Sequence, residues 1–142
     1  MKRIIACLLS ALFMLPMVIS AQNSVNQLNK AQYIQKVHDF TKSKKWKYLG
    51  SKPAIIDLYA VWCGPCKKLS PIVSEIALKH PELAVYKVDV DEQPEIADYF
   101  NISSIPVLIY IPLKGKPKAV TGLVSKMEIE AEIAKTLSIK KR

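Results

Sequence analysis

Apolar residues recur along this chain in two rhythms, and the switches between them mark its elements. After a polar stretch, Asn29 suits a helix N-cap, with Gln32 three residues on to complete a capping box. Tyr33, Ile34, Val37 and Phe40 then fall on one helical face. Residues 53–61 form a nearly continuous apolar run rich in β-branched side chains, with Asp57 as the lone charge. Such a run reads as a central strand covered on both faces. From 63 to 79 the period becomes helical, with Leu69, Ile72, Val73, Ile76 and Ala77 inward and Lys67, Lys68, Ser74 and Lys79 outward. Pro71 should kink this helix, and His80-Pro81 should end it.

Residues 83–90 read as a second strand, and Pro94 opens a short helix over 95–100. Asn101 suits the end of that helix, because asparagine accepts the left-handed conformation. Residues 107–111 and 118–124 read as strands joined by a short connection, so they should pair antiparallel. Ser125 and Glu128 form a capping box for a last helix, with Met127, Ala131, Ile133, Ala134 and Leu137 expected inward. The order is helix, strand, helix, strand, helix, strand, strand, helix. It predicts an α/β fold: a mixed central sheet of four to five strands, helices on both faces, and a C-terminal hairpin plus helix.

The start of the chain follows neither rhythm. Met1-Lys2-Arg3 is a positive n-region, and residues 4–19 are apolar apart from Ser10 and Pro16. Ser20 and Ala21 then offer small residues for cleavage. The expectation is an export signal over 1–21, followed by a single domain over 22–142 in an exported, periplasmic, soluble protein. An uncleaved membrane anchor is the rival reading, disfavoured by the short apolar run and by Pro16.

Cleavage changes the cysteine count. Of the three cysteines, Cys7 leaves with the leader, and Cys63 and Cys66 remain. Cys7 lies too near the start to serve as a lipid-attachment cysteine. A disulfide between the remaining pair closes so small a loop that it constrains the unfolded chain little, which favours redox chemistry over stapling. The net charge is +9, and loss of Lys2 and Arg3 leaves +7. Lys42, Lys44, Lys45 and Lys47 surround Trp46, and Lys140, Lys141 and Arg142 close the sequence. Export argues against nucleic acid as a partner; solvated lysines, with weak attraction to an anionic membrane, account for the charge.

The chemistry concentrates in Trp62-Cys63-Gly64-Pro65-Cys66-Lys67, where strand gives way to helix. Cys63 falls at the helix N-terminus, where unpaired N–H groups and the helix dipole favour a thiolate. Cys66 lies one turn in, expected to be less exposed. A nucleophile and a resolving thiol are the minimum for reversible disulfide exchange. Asp57 is costly to bury charged, so its pKa should rise and it could exchange a proton. His38 and His80 lie far from the pair in sequence, and two cysteines are too few for structural zinc, so no metal is expected.

From about Asn29 to Leu137 the chain resembles a thioredoxin. The Trp-Cys-Gly-Pro-Cys-Lys block carries the resemblance, supported by Asp57 before it, Pro71 after it, Ile105-Pro106 and Gly122. The resemblance implies the thioredoxin fold and a dithiol–disulfide oxidoreductase with no bound cofactor, the two cysteines carrying the electrons. It places Asp57 beneath Cys66 as a proton shuttle, with Lys87 in the neighbouring strand steadying the charged form. Trp62 becomes an apolar wall at the docking surface, and Gly64 and Pro65 shape the turn between the thiols. Pro106 aligns with a cis-proline facing the thiols, leaving the Ile105 backbone able to pair with an extended substrate.

Departures from the family pattern at Asn101, Ser104 and Val107, and a longer 112–117 turn, lie near the docking loop and bear on substrate preference. The expected partners are disulfide-containing protein substrates and a membrane thiol relay as electron donor, with the chain a monomer. An oxidising or isomerising member, a cytochrome c maturation reductase, and a binding module of the same fold stay open as alternatives. Intact cysteines and Asp57 weigh against the binding module.

Overall fold

The computed structural model describes residues 24–139. The expected leader, Cys7 and the terminal Lys140-Lys141-Arg142 lie outside the described residues. The elements are β1 (Val25–Gln27), α1 (Lys30–Lys36), β2 (Ala54–Tyr59), α2 (Gly64–Lys79), β3 (Ala84–Asp89), α3 (Pro94–Tyr99), β4 (Val107–Ile111), β5 (Lys118–Thr121) and α4 (Lys126–Thr136). They build one five-stranded sheet in the order β1-β3-β2-β4-β5. β3 pairs parallel with β1 and β2, whereas β4 pairs antiparallel with β2 and β5. The parallel pairing of β2 and β3 requires a crossover, and α2 provides it.

Strand alternation divides the core into two layers. On one face Ile55, Val85, Leu108 and Tyr110 meet Leu69, Val73 and Ile76 of α2 and Ile129 and Ile133 of α4. On the other, Ile56, Leu58, Val88, Ile109 and Ile111 meet Tyr33 and Val37 at α1 and Ile96 of α3. All five residues of β4 are buried, as expected for a strand covered on both sides. Each fully buried Leu or Ile contributes about 1.5–3 kcal/mol, so these two layers hold the sheet and helices together.

Local signals place the helix ends. Asn29 accepts from the N–H of Gln32 at 2.9 Å, and the Gln32 side chain accepts from the Asn29 N–H at 3.0 Å. Ser125 and Glu128 repeat the reciprocal box at α4. α2 continues through Pro71, which lies on its exposed side. Asn101 takes φ 54, and Gly122 takes φ 101 directly after β5. That left-handed turn ends β5 at Thr121, three residues before the expected boundary.

Two expectations are corrected. The polar stretch before Asn29 contains β1, whose three residues carry no alternation of their own and take their order from β3. In α4 the inward stripe is Ile129, Ile133 and Leu137, while Met127 is 70 % exposed and Ala131 and Ala134 face solvent. Alanine and a terminal methionine satisfy a helical period on either face. The branched side chains at 129 and 133 decide which face packs on the sheet.

Candidate active site

Chain direction and helix capping set the thiol pair. β2 ends at Tyr59, the chain turns, and Cys63 becomes the N-cap of α2 with extended backbone, φ −78 and ψ 108. Pro65 is tolerated in the first helical turn, where its missing N–H has no helical partner to lose. The Cys66 N–H donates to Cys63 Sγ at 3.2 Å. The two sulfurs are joined in a disulfide, with Cα atoms 5.3 Å apart. The expected difference in exposure is absent in this oxidised form, in which each cysteine is 3 % exposed.

Their surroundings differ instead. Cys63 lines a groove with Trp62, Gly64, Pro65, Ile102 and Ile105. Cys66 lines a second cavity with Asp57, Tyr59, Ser70 and Lys87. The sheet explains this partition. Asp57 and Lys87 are register partners on β2 and β3, placed on the face that α2 covers.

Asp57 is 4 % exposed, and its Oδ1 has no hydrogen-bond partner. Burial pushes its carboxyl up to about 7, against the pull of the Lys87 ammonium. Lys87 therefore acts on Asp57 through space, and its Nζ lies 5.7 Å from the centroid of the Tyr59 ring.

Trp62 is 68 % exposed, which excludes a core-packing role. Its Nε1–H donates to Asp91 Oδ2 at 2.7 Å, holding the indole at the groove. Asp91 belongs to the turn after β3, and no sequence pattern pointed to it. The same is true of Val90, Ala97 and Ser103, which also line the groove.

The Ile105–Pro106 bond is cis. Ile105 packs on the cluster formed by Ala60, Cys63 and Cys66. Pro106 is buried behind the groove, and its carbonyl accepts from the Gly122 N–H at 2.8 Å. Gly122 thus supports the proline loop from the β5 side and does not line the groove. Its positive φ is the reason for glycine there, since a Cβ would meet nothing within 4 Å. A Cβ on Gly64 would also meet nothing within 4 Å, so that position leaves the groove open.

The histidines stand apart from the thiols. His38 packs between Trp46 and Tyr99, with ring centroids 4.9 and 5.1 Å away. His80 caps α2 and meets Glu82 and Glu130. Among the described residues, no three His, Cys, Asp or Glu side chains form a group able to hold a metal ion.

Comparison with known proteins agrees with this geometry. The thioredoxin family model matches residues 24–135. A thioredoxin of Borreliella burgdorferi is 39 % identical over 104 residues, which cover 72 % of this chain and 89 % of that protein. A thioredoxin of Alicyclobacillus acidocaldarius is 41 % identical over 90 residues, covering 62 % of this chain and 85 % of that one. The crystal structure of Malassezia sympodialis thioredoxin superposes with a TM-score of 0.64 at 29 % identity, covering 80 % of this chain and 90 % of that one. With its paired cysteines at a helix start and a buried carboxyl on the second cavity, the chain belongs to the thioredoxin family and is a thiol–disulfide oxidoreductase acting on protein disulfides.

Proposed function

We propose that the chain is an exported, monomeric reductase of protein disulfides, with Cys63 as nucleophile, Cys66 as resolving thiol and Asp57 as the proton carrier of Cys66. One observation carries these roles: the two sulfurs line different cavities, Cys63 the open groove and Cys66 the cavity that holds Asp57. In the reduced protein, the Cys63 thiolate attacks one sulfur of a substrate disulfide. A Cys63–substrate disulfide forms, and the other substrate sulfur leaves as a thiolate that takes up a proton. Cys66 then loses its proton to Asp57, and its sulfur attacks Cys63 Sγ. The Cys63–Cys66 disulfide closes, and the second substrate sulfur departs as a thiolate that takes up a proton. Two electrons pass from the dithiol to the substrate.

The groove suits an extended polypeptide. Trp62 forms one wall, Gly64 and Pro65 line the groove beside Cys63, and the Ile105 backbone before Pro106 offers pairing to a substrate strand. Gly122 steadies that loop from behind. The positive start, apolar run and small residues over 1–21 support export, with 22–142 as the working domain. Outside the cytosol, a membrane thiol relay is the fitting electron donor.

Insulin-disulfide reduction and a reduction potential measured against glutathione test this reading. The full chain should reduce insulin, and its potential should lie near those of cytosolic dithiol reductants. Failure to reduce insulin, or a potential near those of disulfide-forming oxidants, overturns it. N-terminal mass spectrometry of protein from an exporting host should find Gln22 at or beside the new terminus.

A further inference from the structure

Lys87 is Asp57's register partner on the adjacent strand, yet Asp57 Oδ1 has no hydrogen-bond partner. The Lys87 ammonium lies over the Tyr59 ring, 5.7 Å from its centroid. That is within the range in which a ring face attracts a cation. Tyr59 follows Asp57 by two positions, so strand alternation puts both side chains on one face of β2. Asp57, Tyr59, Lys87 and Cys66 line a single cavity. Across β3, Gln27 of β1 is the register partner of Lys87.

The ammonium has two competing attractions, the Tyr59 ring and the Asp57 carboxylate. A close pair with Asp57 would hold the carboxyl ionised and remove it from proton exchange near neutrality. We propose that Tyr59 is a positioning residue for the exchange reaction: its ring holds the Lys87 ammonium off Asp57, leaving that carboxyl free to take and return the Cys66 proton. This inference rests on the role of Asp57 proposed above. Lys87 is the cation whose charge pulls on the Asp57 carboxyl. α2 contributes Cys66, Ser70 and Lys67, β4 places Leu108 beside Asp57, and the Gln27 side chain of β1 is uncharged. Asp89 and Glu92 act on the Tyr59 phenol itself.

The test is a carboxyl-carbon NMR titration of Asp57 in the oxidised full chain, where the disulfide-bonded cysteines do not titrate. Tyr59→Leu should lower the Asp57 midpoint by about one pH unit, because the released ammonium closes on the carboxylate. Tyr59→Phe keeps the ring and should stay near wild type. Lys87→Met should raise the midpoint, and adding Tyr59→Leu in that background should lower it no further. An unchanged midpoint in Tyr59→Leu overturns the proposal. So does an equal drop without Lys87, which would trace the effect to water entering the cavity.

Wild-type protein supplies an independent readout. The Lys87 ε-methylene protons should show an upfield ring-current shift, and random-coil positions for them overturn the proposal without any variant. If Asp57→Asn keeps wild-type turnover, the proton-carrier role fails while these titration results stand on their own.

Discussion

Glu130 Oε2 lies 3.0 Å from His80 Nε2, tying the middle of α4 to the C-cap of α2. Glu130 Oε1 also pairs with Lys79 Nζ at 2.7 Å, so one buried carboxylate holds the two successive residues that end α2. Burial pushes the Glu130 carboxyl up, but Lys79 and His80 together outweigh it and hold the carboxyl below its ordinary range. A depressed carboxyl contributes stability above its unfolded pKa of about 4.3, and that contribution fades as pH falls through the folded value. Glu130→Gln should therefore cost about 2 kcal/mol in urea unfolding at pH 7, and the deficit should narrow below about pH 4. A deficit that persists unchanged into acid would assign the loss to packing and not to charge.

The two thiols should behave unequally. Cys63 lines the groove and receives the Cys66 N–H, the place the proposed mechanism gives to the attacking sulfur. Cys66→Ser should trap mixed disulfides with substrate proteins, visible on non-reducing gels, while Cys63→Ser should trap few. In the reduced protein, iodoacetamide should modify Cys63 first. Equal trapping, or earlier alkylation of Cys66, would sink the assignment.

Asp91 fixes the orientation of Trp62 from 29 positions away, and the indole is otherwise largely exposed. Loss of that hydrogen bond releases the groove wall without touching the thiols. Asp91→Ala should lower kcat/KM for insulin about fivefold, equivalent to about 1 kcal/mol of binding. Reaction with a small aromatic disulfide, which needs little of the groove, should change much less. Equal losses for both substrates would show that Asp91 acts on the thiols and not on docking.

The features legible in the sequence were local or chemically conspicuous. Both capping boxes depend on residues three apart, and Asp57 stands out as the one charge in an apolar strand. β1 was not legible, because Val25, Asn26 and Gln27 become a strand only by pairing with Val85, Tyr86 and Lys87. The α4 face was ambiguous because alanine carries little packing information. The family resemblance places Trp62 at the docking surface, but its partner Asp91 depends on how the turn after β3 approaches the start of α2. The family resemblance links Lys87 to Asp57 and the strand register makes them neighbours, whereas the ammonium position depends on a side-chain choice between carboxylate and ring. Sequence spacing carries no information about that choice.

In the proposed mechanism Asp57 links activity and stability with opposite signs. Its carboxyl is buried and raised to about 7, so at neutral pH it passes readily between its protonated and ionised forms. Asp57→Asn keeps the shape but exchanges no proton. Turnover at pH 7 should fall about tenfold or more, because Cys66 loses its base. The deficit should shrink above about pH 8.5, where a thiol ionises without help. Stability runs the other way. The unfolded carboxyl titrates near 3.9, so the folded state holds this proton more tightly. The Asp57 contribution to stability is then greatest below about 3.9, declines as pH rises toward the folded value, and levels off above it. The asparagine variant lacks that decline. At pH 8 it should be more stable in urea by about 2 kcal/mol, with the difference closing by about pH 4. Wild-type turnover at pH 7 combined with lower stability at pH 8 would make Asp57 a structural residue, and Cys66 would need another proton acceptor.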